Sequence, residues 1–189
     1  MATASAIPVV STLPQTSSNS TGIGGTNDYA AGFVWNSSQS FASADLYLGV
    51  EGMPTAPLMV SLYDSVGGVP GSELLALSGP GDIMNNGLYN YSGNYSLTQG
   101  LTYWIVASTG VYLDQQNEFI WFDGTAGDTN YVDTLFSRPN VSWSTSGIVS
   151  PAAFQVNDAP VANVPEPTTL LLMGLGLVGL GVTRKRKLS

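Results

Sequence analysis

The sequence ADLYLGV at residues 44–50 places an apolar residue at every second position, and this alternation decides the fold class. The segments LMVSLY at 58–63 and YWIVAS at 103–108 repeat the alternation, and EFIWF at 118–122 is a short aromatic run. A period of two residues is typical of a β-strand that buries one face. We therefore predict a strand at each of these four places.

Clusters of turn-forming residues separate these segments, at 52–57, 66–72, 79–87, 108–110 and 123–130. No stretch of this body keeps a 3.6-residue apolar period for three turns. Many short strands spaced about 8–12 residues apart favour an all-β fold, here an antiparallel β-sandwich or jelly roll. We place the sandwich at residues 28–157, between a loose N-terminal segment at 1–27 and a linker at 158–164.

Charge is distributed very unevenly along the chain. Residues 1–164 hold 12 of the 13 acidic residues and one base, Arg138, whereas the other four bases lie at 184–187. A strongly negative body repels phosphate backbones, so we expect no nucleic-acid binding. The chain has neither cysteine nor histidine, which excludes thiolate and imidazole chemistry. We therefore expect no enzyme of the usual nucleophilic classes.

The C-terminal region reads as a membrane span. Residues 168–183, TTLLLMGLGLVGLGVT, carry no charge, and as a helix these 16 residues would extend about 24 Å. A bilayer core is about 30 Å thick, and flanking basic side chains can make up part of the difference. The basic residues are Arg184, Lys185, Arg186 and Lys187. We predict a single transmembrane helix that anchors an outside body in the inner membrane, with this basic end in the cytoplasm.

A short motif precedes the span, formed by Val164, Pro165, Glu166 and Pro167. This motif, the span at 168–183 and the basic end at 184–187 together resemble the PEP-CTERM sorting signal of bacterial exported proteins. The same tail is also labelled an ice-binding protein C-terminal domain. The resemblance implies an exosortase as partner, removal of the tail at 165–188, and a final place at the cell surface or in an extracellular biofilm matrix.

The body resembles the choice-of-anchor surface domains over about residues 28–125. The similar segments are Gln39-Ser40-Phe41, ADLYLGV at 44–50, VSLY at 60–63, GVPG at 68–71 and LTYWIV at 101–106. The resemblance implies a domain with an exchangeable anchoring tail and carries no activity or site residue.

The N-terminus contains a candidate signal-peptidase site. Ala4-Ser5-Ala6 has the small-x-small pattern, but no basic or long apolar region precedes it. We expect those regions to be encoded upstream of Met1. The alternative is a plain disordered segment rich in serine and threonine.

Catalytic and metal sites have only weak support in the sequence. Glu51, Glu73 and Glu118 could serve as hydrolytic carboxylates, but nothing in their spacing singles out a pair. The oxygen-rich segment with Asp123, Asp128, Asn130 and Asp133 could bind Ca²⁺, although Asx and Gly residues also make ordinary turns. We expect no other cofactor.

Aromatic rings offer a second possible function, because exposed rings stack on sugars. Trp104 and Trp121 are the candidate contacts to an extracellular polysaccharide. Exposed coplanar rings would favour a carbohydrate-binding module, whereas buried rings would favour a scaffold. We predict an exported, non-catalytic surface or matrix protein, with a carbohydrate-binding module as the alternative.

Overall fold

The computed structural model describes residues 6–15, 20–24, 27–111, 113, 117–137, 142–144 and 150–160. These residues form eleven strands and no helix. The strands are β1 Pro8–Ser11, β2 Ser20–Ile23, β3 Asp28–Val34, β4 Phe41–Glu51, β5 Met59–Val66, β6 Val69–Ala76, β7 Gly87–Tyr95, β8 Thr102–Ser108, β9 Glu118–Phe122, β10 Tyr131–Ser137 and β11 Phe154–Asp158. The prediction of an all-β fold is confirmed.

The strands form two antiparallel sheets. The first sheet has six strands in the order β1-β11-β4-β9-β2, with β7 also paired to β4. Leu46 pairs with both Phe154 of β11 and Tyr89 of β7, so β7 lies on the opposite edge of β4 from β11. The second sheet has five strands in the order β10-β3-β8-β5-β6.

The two sheets share one hydrophobic core, to which both contribute alternate residues. In β4, Ala44, Leu46 and Leu48 are buried, as the two-residue period predicts. Aromatic contacts cross between the sheets. The ring centroids of Tyr29 in β3 and Trp121 in β9 lie 5.7 Å apart, and aromatic pairs at such distances add to the free energy of burial.

The N-terminal segment is not uniformly loose, which corrects the expectation for residues 1–27. Its described part contributes β1 and β2 to the first sheet, and Val10 and Ile23 are buried in the core. β1 pairs with β11, near the other end of the body, where Val10 lies opposite Val156. Four-residue strands show too little alternation to be recognised, and their partners lie far away in sequence.

The C-terminal boundary of the body also differs from the predicted one. β11 continues to Asp158, whose backbone N–H donates to Ile7, and the N–H of Ala159 donates to the carbonyl of Ser40. The ordered pairing therefore reaches two residues into the predicted linker at 158–164. Residues 161–164 lie outside the described part of the chain.

The β5–β6 connection shows why the predicted turn at 66–72 was too long. Gly67 and Gly68 have φ angles of 64° and 84° and form the whole loop, since Val66 already pairs with Val69. Two central residues with positive φ make the tight hairpin turn that matches strand twist, and glycine adopts it without a Cβ clash. β6 is an edge strand, which accommodates Pro70.

Candidate functional site

The predicted sorting motif at 164–167, the span at 168–183 and the basic end at 184–187 lie outside the described residues, as do Ala4 and Ser5. Within the described ranges, no helix is long and apolar enough to cross a membrane. The candidate sites in the body can be located directly.

The two tryptophans predicted as glycan contacts are both completely buried. Trp121 lies in the main core, and its Nε1 donates to the carbonyl of Ala153 at 3.0 Å. Trp104 lies on the other side of the second sheet, where its Nε1 donates to Ser65 Oγ at 3.1 Å. Neither ring presents a face to a sugar, which corrects the prediction for these two residues. The alternating sequence pattern alone could not show that side chains on both faces of β8 are buried.

Trp104 belongs to a small second cluster with Ala30, Val106 and Leu135, against which Trp143 packs. The ring lies directly over Gly32 of β3, where an added Cβ would come within 2.7 Å of it. This outer face therefore has a hydrophobic core of its own.

The predicted calcium ligands are engaged in turn contacts. Asp128 accepts the backbone N–H groups of Asn130 at 2.8 Å and Ser11 at 2.7 Å. Asn130 donates from its side chain to the carbonyl of Val9, and Asp133 accepts from the backbone of Thr134. These contacts fit the turn alternative that the sequence left open. Across the described residues, no three acidic side chains come together as a metal site.

Asp123, the remaining predicted ligand, is buried near the start of β11. It pairs with Ala152 in an isolated bridge, and its side chain bonds to Ser150. Burial raises the pKa of Asp123, and the bond from Ser150 partly opposes that rise.

The three glutamates divide between the two sheets. Glu51 and Glu118 lie directly opposite one another on β4 and β9 in the first sheet, whereas Glu73 lies on β6 in the second sheet. Burial raises the pKa of Glu118, and the neighbouring Glu51 raises it further. Glu118 also lies over Gly22, where a Cβ would collide with its carboxylate. The strand register creates this pair, and sequence spacing gave no sign of it.

An ordered polar network covers part of the outer face of the first sheet, and we call it the amide ladder. Its members are Ser43 and Asp45 of β4, Asn90 of β7, and Gln155 and Asn157 of β11. Asp45 accepts the side-chain amides of Asn90 and Asn157, both at 2.7 Å. Asn157 also donates to Ser43 at 3.1 Å and accepts from Gln155 at 2.8 Å. The polar groups satisfy one another across three strands.

The outer face of the second sheet instead carries a cavity of about 270 Å³, which we call the Tyr63 groove. Its outward-facing lining includes Met59, Ser61, Tyr63, Glu73, Val106 and Ser108. The lining comes from the neighbouring strands β5, β6 and β8 and from Tyr91 of β7, and the sequence does not reveal which strands are adjacent.

The Tyr63 groove has a negative electrostatic environment. Ser61 Oγ donates to Glu73 Oε1 at 3.1 Å, and Asp28 bonds to the side chain of Ser108. Burial raises the pKa of Tyr63, and the charges of Glu73 and then Asp28 raise it further. The described residues include no lysine or arginine, because all five bases of the chain lie at 138 and 184–187.

A second cavity, of about 310 Å³, is mainly apolar and lies at the C-terminal end of β4. Its lining includes Val50, Met53, Ile83, Met84 and Phe119. Met53 and Met84 are both largely exposed. Nothing in this cavity provides the convergent polar groups of a specific small-molecule site except Asp82.

Comparison with family models finds the PEP-CTERM protein-sorting motif at residues 163–187. The sorting signal that the sequence predicts at about residues 164–188 is therefore confirmed. The motif implies exosortase-dependent sorting of an exported protein to the cell surface. No curated protein matches the chain.

Proposed function

We propose that this chain is an exported, non-catalytic surface or matrix protein whose all-β body is delivered by its C-terminal sorting signal. The PEP-CTERM match at residues 163–187 carries the proposal. We place the span at 168–183 in the inner membrane before processing, with Arg184 to Lys187 on the cytoplasmic side. Exosortase then removes the tail.

The body supports a scaffold rather than a hydrolase. Two carboxylates flanking a scissile bond need a cleft between them. Glu51 and Glu118 face each other across neighbouring strands, and neither lines the cavities described above. The rings of Trp35, Trp104 and Trp121 are all fully buried and contribute to packing. A rigid body with buried rings suits a structural role at a surface.

The sorting proposal is tested by the intact mass of protein extracted from the surface of cells that contain an exosortase. We expect loss of roughly the last 20–25 residues, counted from the sorting motif. Glu166→Ala should retain the tail, and cells without the exosortase should do the same. Pro160→Ala is the matched control, because it lies just outside the motif. Mature wild-type protein that still carries Arg184 to Lys187 would contradict tail removal.

A carbohydrate-binding module is the second candidate function, and the Tyr63 groove favours it. The groove combines an aromatic side chain with the Glu73 carboxylate and hydroxyls, the kind of lining that orients a small polar ligand. A glycan array with a parallel panel of chromogenic glycosides separates the possibilities. The scaffold is silent in both assays, the module binds without turnover, and sugar release lost on one Glu→Gln change would establish an enzyme.

A further inference from the structure

Among the described residues, no lysine or arginine accompanies the acceptor groups of the Tyr63 groove. Glu73 Oε1 accepts a bond from Ser61, while no bond to its Oε2 occurs among the described residues. Asp28 lies close enough for its charge to act on the Tyr63 hydroxyl. A ligand that donates hydrogen bonds and carries positive charge would complement this groove.

The shape of the groove adds a second constraint. Met59 supplies exposed apolar surface, and the half-buried Tyr63 supplies an aromatic one. The volume of about 270 Å³ lies just below the roughly 300–1,000 Å³ of sites for drug-sized ligands. The groove therefore suits a single ring with an apolar C–H face and polar edges.

The hydroxyl groups specify the edges of such a ring. The Tyr63 hydroxyl can donate or accept, whereas Ser61 and Ser108 already donate to Glu73 and Asp28 and can only accept from a ligand. A sugar ring matches them with its own hydroxyls. An extended lysine side chain offers one ammonium group and no further polar edge, so it would leave these hydroxyls without ligand partners.

From these constraints we propose that the Tyr63 groove binds an amino sugar with a free ammonium group, as one unit of a partly deacetylated amino-sugar polymer. The ammonium lies at Glu73 and the sugar hydroxyls face Ser61 and Ser108. This inference rests on the carbohydrate-binding alternative and names its ligand class. The negative groove rejects uronic acids by charge repulsion and offers N-acetylated sugars no charge-assisted bond.

The test measures binding by the full-length protein, kept soluble in a detergent without a sugar headgroup. The probes are a β-1,4-linked glucosamine hexamer, its fully N-acetylated counterpart, a galacturonate hexamer and hexalysine, each titrated calorimetrically. We expect the glucosamine hexamer to bind most tightly. Equal or tighter binding of the N-acetylated hexamer or the galacturonate hexamer, or no binding of any sugar, overturns the proposal. Tighter binding of hexalysine also overturns it and indicates a cationic peptide as ligand.

Variants identify the groove as the binding site. Glu73→Gln keeps the size of the side chain and removes its charge, so affinity for the glucosamine hexamer should fall about tenfold or more. Tyr63→Ala should also weaken binding, while circular dichroism checks that the fold persists. Glu51→Gln is the matched control, because it removes one negative charge from an exposed position on the other sheet. An equal loss in the control assigns the effect to net charge and contradicts the site.

Failure of this inference can be told apart from failure of the sorting proposal. Sorting is measured by removal of the tail, which does not depend on a ligand in the groove. Normal tail removal without amino-sugar binding overturns this inference alone. Binding without tail removal overturns the processing step alone.

Discussion

On the outer face of the first sheet, polar side chains bond to one another across three strands, whereas on the outer face of the second sheet they border an open groove. Asp45 in the amide ladder uses both carboxylate oxygens on neighbouring amides. Glu73 in the Tyr63 groove accepts one bond from Ser61. Networks that satisfy themselves make a surface rigid, while acceptors that keep capacity can serve a ligand.

A second difference lies beneath these polar groups. The outer face of the second sheet buries Trp104 with Ala30, Val106 and Leu135. On the outer face of the first sheet, Tyr47 stays partly exposed and makes an edge-to-face contact with Phe122, with ring centroids 5.4 Å apart. The stability of the second sheet therefore depends on side chains buried on both of its faces. The Tyr63 groove lies beside the buried Trp104 cluster.

The largest expected effect comes from emptying this outer cluster. Trp104→Ala should lower the free energy of unfolding by about 3–5 kcal/mol, because it removes a fully buried ring. Tyr47→Ala on the first sheet should cost clearly less, because that ring is only partly buried. Urea unfolding followed by fluorescence and circular dichroism compares the two. Equal losses would contradict the difference in burial between the faces.

A smaller effect is expected where the backbone approaches Trp104. A Cβ at position 32 would lie 2.7 Å from the Trp104 ring, so Gly32→Ala should cost about 1–3 kcal/mol of stability through overpacking. Gly87→Ala is the matched control on β7, where the nearest atom to an added Cβ is Tyr89 at 3.8 Å. Thermal melts should show a clear drop for the first variant and little change for the second.

The amide ladder should show an intermediate sensitivity. Asp45→Ala removes the acceptor for the amides of Asn90 and Asn157, and Asn157 is buried. We expect a loss of about 1 kcal/mol, since Asn157 keeps its bond to Ser43. Asn90→Ala is the control, because it removes an exposed partner and leaves the buried amide bonded. If the control costs as much as Asp45→Ala, burial is not the source of the effect.

The sequence predicted the strands whose own side chains alternate and missed those defined by distant partners. Residues 118–122 were predicted as a strand and form β9 with the same bounds. β7 was missed, although Tyr89 and Tyr91 point inward and Asn90 points outward, because asparagine, serine and glycine fill most of its other positions. The alternation of apolar and polar residues indicates which face of a strand is buried. It does not indicate which strands become neighbours.

The geometry of the body's candidate sites could not be read from the sequence for the same reason. Tryptophan and an oxygen-rich loop were chosen by residue type, and the structure uses Trp104 and Trp121 for packing and Asp128 for loop bonds. The Tyr63 groove depends on β5, β6 and β8 being adjacent. The sorting motif, in contrast, is contiguous, so its residues were visible in the sequence alone.

The smallest expected effect concerns Glu51 and Glu118, which face each other on β4 and β9 of the first sheet. Like charges directly opposite in a sheet destabilise it, here by about 0.5 kcal/mol. The pKa of Glu118 is raised above its ordinary value of 4.5, so the folded state binds a proton more readily than the unfolded chain. Stability should therefore rise as the pH falls through the folded-state pKa, and the gain is complete below the unfolded-state pKa of 4.5. Glu118→Gln should raise the melting temperature slightly at pH 7 and remove this part of the pH dependence.

Glu51→Gln should reduce the same dependence without abolishing it, because burial is the larger cause of the pKa shift of Glu118. The pKa of Asp28, on the second sheet, is also raised. Burial is the cause of that rise, and the bond to Ser108 partly opposes it. Melting curves from pH 4 to 8 for wild type, the two single variants and Asp28→Asn therefore separate the sheets. Glu51→Gln should change only the part of the pH dependence that Glu118→Gln removes. If it changes the part that Asp28→Asn removes by as much, the cross-strand pair is not the source of the effect.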